Sequence, residues 1–269
     1  MSRTGKQGAK PPALAIPGTG LSVAMRGVWP ASRPLQRGGV CMGAGAAGSG
    51  RGVTDTIIFD VDGTLVDSNY QSALAWYRAM RRFDITVPVW QIHRAIGMGG
   101  DQLVGHVAGK QPEDQHGDAL RAAWREEFDP MLPEIAAFAD AVPLLIAVKD
   151  RGLTLVLASS GAPEHVEAYL NMIDGRRLAD DWTTAKDVES TKPAPDLVQA
   201  ALDKAGATEA VMIGDSIWDA KAALKLNVPT YAVRTGGFSA EELSAAGAAA
   251  VYDSLAALQA DLDRIVAQP

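Results

Sequence analysis

From Thr56 onward, short apolar runs alternate with longer stretches in which apolar residues recur every three or four positions. A run of four to six apolar residues is what a strand buried on both faces of a parallel sheet requires, and the longer recurrence is that of an amphipathic helix. Strands are predicted at Thr56–Phe59, Leu153–Ala158, Ala210–Ile213, Thr230–Val233 and Ala249–Tyr252, with a weaker one marked by Thr183-Thr184. Helices are predicted over 69–83, 88–96, 101–108, 113–128, 132–138, 140–151, 163–170, 195–205, 217–226, 239–246 and 254–266. In the first of these, capped by Asp67 or Ser68, the residues Tyr70, Ala73, Leu74 and Tyr77 share one face. Strands alternating with helices mean an α/β fold with a doubly wound parallel sheet. Residues 69–139 break the alternation, because they hold helical patterns only. They read as a helical unit inserted after the first strand, with Trp76, Tyr77, Trp90 and Trp124 as its core, while 55–68 and 140–269 form the sheet-bearing core.

Composition changes the picture at the amino terminus. Residues 1–54 carry Lys and Arg but no Asp or Glu, and are crowded with Gly, Pro and Ala. Such a segment cannot bury enough apolar surface to offset its ordering entropy, so disorder is expected. It reads as a basic, acid-poor transit segment, or as an extension upstream of a true start near Met42 or Val53. The rest is ordinary: of 269 residues, 47% are hydrophobic and 21% charged, enough for one large domain or two modest ones. A net charge of −7 and a pI near 5.1 argue against a general nucleic-acid binder. The single Cys41 permits no internal disulfide and suits a reducing, cytoplasmic compartment. No apolar run approaches the roughly 20 residues needed to span a membrane. A soluble monomer or homodimer is expected.

The candidate chemistry lies at the ends of the predicted strands. The first runs into Asp60-Val61-Asp62-Gly63-Thr64, placing two carboxylates at the carboxyl edge of a sheet, where open α/β folds bind ligands. A calcium loop would need its glycine two positions later and an acidic residue where Gln71 stands. A carboxylate is ionised at neutral pH and needs no base to attack phosphorus, so Asp60 is the candidate nucleophile. The second strand ends in Ser159-Ser160-Gly161, a hydroxyl and two amides able to hold a phosphoryl group at a helix start. Lys192, in Lys192-Pro193-Ala194-Pro195-Asp196, can neutralise phosphoryl charge. Asp215 and Asp219, four apart across a helix start, share one face and call for a cation between them, for which Mg²⁺ is suited. Three ionised aspartates (Asp60, Asp215, Asp219) balance Mg²⁺ and Lys192 if Asp62 is protonated, the form a general acid needs.

Taken in order, DVDGTLVDS, Ser159, KPAPD and GDSIWD resemble the four motifs of the haloacid dehalogenase superfamily, over a stretch from about Thr56 to the carboxyl terminus. The resemblance implies a Rossmann-like core with an inserted all-helical cap. It makes Asp60 the nucleophile, Asp62 the general acid and base, and Ser159 with Lys192 the phosphate-binding pair. It assigns Mg²⁺ to Asp60, the carbonyl of Asp62, and Asp215, helped by Asp219. The implied activity is phosphatase action on a small phosphorylated metabolite through an aspartyl phosphate, and Asp62 favours it over dehalogenation. The chain is most similar to the phosphoglycolate phosphatase-like members. The β-phosphoglucomutase-like members, which make a phosphosugar mutase an alternative, carry Glu-Asp where Gly214-Asp215 stands and an arginine absent from Gly97–Asp101. A catalytically silent regulatory domain is the other alternative. Ser160, Gly161, Gly99 and Gly100 are expected on the substrate, with His93, Arg94 and Trp218 nearby. Gly236-Gly237 reads as a helix-start turn.

Overall fold

The computed structural model describes residues 54–267, so the expectations for the segment before Thr54 lie outside the described residues. Strand β1 (Thr56–Phe59) is followed by helices α1 (Asn69–Arg81), α2 (Val89–His93), α3 (Gly100–Ala108) and α4 (Lys110–Phe128), then a 3₁₀ turn at Asp129–Glu134. The alternation then begins with α5 (Ala141–Asp150), β2 (Thr154–Ala158), α6 (Pro163–Met172), α7 (Gly175–Leu178) and β3 (Asp181–Thr183). It continues through α8 (Asp196–Ala205), β4 (Ala210–Gly214), α9 (Ile217–Leu224), β5 (Thr230–Val233) and α10 (Ala240–Ala245), and ends with β6 (Ala248–Tyr252), α11 (Leu255–Ala260) and α12 (Leu262–Ala267).

The six strands form one sheet in the order β3-β2-β1-β4-β5-β6, and every pairing is parallel. The chain builds outward from β1 to β3, then crosses back to place β4 on the other side of β1. That reversal opens a crevice at the carboxyl ends of β1 and β4. The register sets Phe59 beside both Leu157 and Ile213, so Asp60 emerges level with the ends of β2 and β4.

The apolar runs are continuous because both sheet faces are covered. Ile57 and Phe59 pack with Leu144, Val166, Leu258 and Ile265, whereas Ile58 points the other way onto Val198, Ala201 and Ala222. The insertion has its own core around Trp76, Met80, Ile92, Leu103 and Leu120.

Some local expectations are corrected. The buried face of α1 is Asn69, Ala73, Trp76 and Met80, while Tyr70 and Leu74 are 57% and 40% exposed. Packing of α1 against α4, on the side of Trp76, decides which stripe goes inside. Trp90 is 65% exposed and forms no part of the core. Ser68 occupies the N-cap position of α1 but makes no capping hydrogen bond; its hydroxyl is drawn to Asp62 instead. The long last helix is two, broken at Asp261.

Candidate active site

Three strand tips and one loop deliver their polar residues to the same place. Asp60 follows β1 and is tied down by its amide, which donates to the Ile213 carbonyl at 2.8 Å. Lys192, in the connection from β3 to α8, is wholly buried. Its ammonium donates to Asp60 Oδ1 and to the Ala158 carbonyl at 3.1 Å, and pairs with Asp219 Oδ1 at 2.8 Å. The cation between the acidic groups is therefore, on the Asp219 side, a lysine. The other Asp219 oxygen accepts from the Ser216 amide at 3.0 Å and the Ser216 hydroxyl at 2.6 Å, closing a reciprocal cap on α9.

Asp215, at the tip of β4, is held by residues the sequence reading passed over. The Thr64 hydroxyl lies 3.0 Å from both Asp60 Oδ2 and Asp215 Oδ1, and Asn69 Nδ2 donates to Asp215 Oδ2 at 2.9 Å. Gly236 packs so closely that a Cβ there would overlap Asp215 Oδ2. Gly63 is equally confined, at φ +76°, and a side chain on it would strike Asn69 and Asp215. Thr64 and Asn69 were visible as polar residues flanking the acidic turn; nothing local marked Gly236 beyond its turn propensity.

Electrostatics follow from burial. Ionised together, the three buried carboxylates Asp60, Asp215 and Asp219 would face one ammonium with a formal excess of −2. Burial, opposed by Lys192 and reinforced by Asp219 and Asp62, pushes the Asp60 carboxyl up to about 7. Burial together with Asp60 and Asp219 raises Asp215 well above the carboxylate range. Burial works against the Lys192 charge, yet Asp219 and Asp60 more than offset it and hold the ammonium above the usual lysine value. Oxygens of Asp60, Asp215 and Asp219 all lie within 4.8 Å of one another. An excess of two negative charges on hard oxygen donors fits a divalent cation such as Mg²⁺.

Asp62 lies apart from this cluster. Its carboxylate accepts from the Ser68 hydroxyl at 2.8 Å and the Ser159 hydroxyl at 3.0 Å. Ser159 is wholly buried and also accepts the Gly161 amide at 2.9 Å. Ser159 and Gly161, read from sequence as phosphate donors, thus spend their hydrogen bonds on Asp62 and on each other. Proximity in the fold makes the acid the nearer partner. Ser160 donates weakly to the Gly97 carbonyl at 3.4 Å.

A cavity of about 290 Å³ opens above Asp60 and Asp62, bordered by Ser160 and Gly161 from the core and by Gly99 and Gly100 from the insertion. Gly99 and Gly100 are nevertheless engaged by protein: the Gly99 amide donates to Thr191 Oγ1 at 3.0 Å, and the Gly100 carbonyl accepts from Arg121 at 3.1 Å. Asp101 accepts the amide of Thr191 at 3.1 Å and its hydroxyl as well, joining the insertion to the residue before Lys192. His93 and Arg94 do not border the cavity. His93 stacks on Tyr70 with centroids 4.6 Å apart, and Arg94 lies over Phe238 and pairs with Glu242. Trp218 packs, donating its indole N–H to the Arg94 carbonyl at 3.1 Å. Trp76, Trp124, Tyr169 and His165 border the cavity instead, and helical spacing alone did not separate this role from core packing.

The chain is similar to known proteins. A phosphoglycolate phosphatase of Rhodospirillum rubrum is 30% identical over 217 residues, covering 75% of this chain and 88% of that protein. The pyrophosphatase PpaX of Oceanobacillus iheyensis is 26% identical over 184 residues, covering 66% and 82%. The crystal structure of a hydrolase from Pseudomonas syringae superposes with a TM-score of 0.74 at 32% identity, covering 78% of this chain and 99% of that one. The family model described as haloacid dehalogenase-like hydrolase matches residues 57–233, more than half of the sequence. Matched by that model and by relatives over most of its length, the chain belongs to the haloacid dehalogenase-like hydrolases.

Proposed function

We propose that the protein is a Mg²⁺-dependent phosphatase that hydrolyses a small phosphorylated metabolite through an aspartyl phosphate on Asp60. The observation that carries this reading is the fully buried Lys192, which pairs with Asp60 and Asp219 directly beneath a cavity that Asp60 borders. Such an ammonium orients one Asp60 oxygen and keeps positive charge where phosphoryl oxygens gather charge. In the first displacement an Asp60 carboxylate oxygen bonds to phosphorus and the ester P–O bond breaks. The departing oxygen takes its proton from Asp62, which the Ser68 and Ser159 hydroxyls hold in place. In the second, water attacks phosphorus, gives a proton to Asp62, and Asp60 leaves as a free carboxylate with inorganic phosphate. Asp60, Asp215 and the carbonyl of Asp62 would hold Mg²⁺, which when bound neutralises charge on the transferring group. Asp219 belongs to this set by positioning Lys192.

The helical unit 69–139 acts as a cap over the core formed by 55–68 and 140–269, excluding bulk water while Asp60 is phosphorylated. Relatives named as a phosphoglycolate phosphatase and a pyrophosphatase both release phosphate, which supports hydrolysis over transfer to a sugar. A single cysteine suits a reducing cytoplasm. Asp60→Asn is expected to abolish both phosphate release from p-nitrophenyl phosphate with Mg²⁺ and acid-stable phosphoenzyme. Near-normal turnover by that variant refutes the nucleophile assignment.

A further inference from the structure

The wall of the cavity on the insertion side is a run of rings. Trp124 of α4 is stacked with Trp76 of α1, centroids 5.5 Å apart at 23°, and with Phe128, 4.7 Å apart at 15°. All three border the same cavity as Asp60 and Asp62. The Trp124 indole N–H is already given to the Ser72 carbonyl at 3.3 Å. Its ring therefore offers an incoming group carbon and hydrogen only.

The charged side chains on this wall are committed to protein partners. Arg121 donates to Glu113 at 2.8 Å, to Asp118 at 2.9 Å and to the Gly100 carbonyl, and Arg125 pairs with Glu164. His165 Nε2 is 2.8 Å from Asp129. A carboxylate entering here competes with Glu113, Asp118 and Glu164 for the two guanidinium groups, and among Arg121, Arg125 and His165 a set of hydroxyls meets one buried atom without a partner, His165 Nδ1. A carboxylate also meets the acidic side chain of Glu189, which borders the cavity. An apolar body incurs neither cost and removes ring surface from water.

Building on the phosphatase reading, we propose that Trp76, Trp124 and Phe128 form a leaving-group subsite, and that the preferred substrates are phosphate monoesters of aromatic or bulky apolar alcohols. Small acids such as glycolate, and polyhydroxylated carbons, are the disfavoured class.

The test separates binding from chemistry. Calorimetry on Asp60→Asn with Mg²⁺ compares 1-naphthyl phosphate, phosphoglycolate and glycerol 3-phosphate, and the wild-type chain is assayed with the same three for kcat/KM. The naphthyl ester is expected to bind about tenfold or more tightly than the other two, the scale on which apolar pockets discriminate. Trp124→Ala and the milder Met98→Gln, on the loop bordering the cavity, are expected to shrink the ratio of naphthyl to glycolate kcat/KM. That ratio is insensitive to the fraction of chain folded, because both esters report on the same molecules. Equal or weaker naphthyl binding, or a ratio unchanged in both variants, overturns the subsite. Preferential hydrolysis of phosphoglycolate also overturns it while leaving the phosphatase intact. A naphthyl preference in binding with no phosphate released from any ester upholds the subsite and removes the phosphatase reading instead.

Discussion

Gly236 carries a constraint larger than its size suggests. It sits against the Asp215 carboxylate and the Asn69 amide, where a methyl group has no room. Gly236→Ala is expected to displace Asp215 and reduce phosphate release at least about 100-fold, the order reported for misplacing a group by an ångström. Far-ultraviolet circular dichroism should stay native, and full activity in the variant would show that Asp215 can shift without consequence. At this scale the chemistry of Asp60, Lys192 and Asp215 was legible from residue type at a strand tip. The partners were not. Thr64 is an ordinary turn residue and Asn69 an ordinary helix-start residue in sequence, and they become partners of the Asp215 carboxylate only because β4 lies beside β1.

Helix α9 shows how an element serves the site through its end. Ser216 accepts from the amides of Trp218 and Asp219, at 3.3 and 3.4 Å, while Asp219 reaches back to the Ser216 amide. This is a capping box, and it leaves the second Asp219 oxygen for Lys192. Ser216→Ala is expected to cost about 1 kcal/mol in urea unfolding, the usual value of such a cap. It should also lower kcat more than it raises KM, because Asp219 loses its orientation toward Lys192. A variant with lowered stability and unchanged kcat would confine the cap to a structural role. The pattern Ser-x-x-Asp was present in the sequence, but read as metal chemistry it concealed the cap. The stripe of α1 was misjudged for a different reason: Tyr70 and Leu74 are as apolar as Trp76 and Met80, and only the position of α4 decides between the two faces.

Across the whole molecule, the insertion meets the sheet-bearing core where His93, stacked on Tyr70, faces Phe238 with centroids 6.3 Å apart and Arg94 pairs with Glu242. Burial and the neighbouring Arg94 hold His93 below its ordinary value of 6.5, against a small opposing contribution from the Gly236 backbone. The folded chain therefore prefers neutral His93, and the unfolded chain takes up the proton first as pH falls. The stability this gives is present above about 6.5 and is lost below it. His93→Phe, which keeps a ring between Tyr70 and Phe238, is expected to show a smaller fall in Tm from pH 7.5 to 5.5 than the wild type. Equal falls would exclude His93 as the titrating group. What the sequence determined by itself is the alternation of strand and helix, the helical insertion, and the chemistry waiting at each strand tip. Those are properties of neighbouring residues, set by hydrophobic period and by side-chain type. Only the tertiary structure decided that Asp219 faces Lys192, that Ser159 serves Asp62, and that three rings of the insertion wall the cavity. Such pairings join residues far apart in the chain, 146 positions in the case of Asn69 and Asp215. Their energies depend on which faces meet when the sheet and the insertion pack, and no local stretch of sequence encodes that choice.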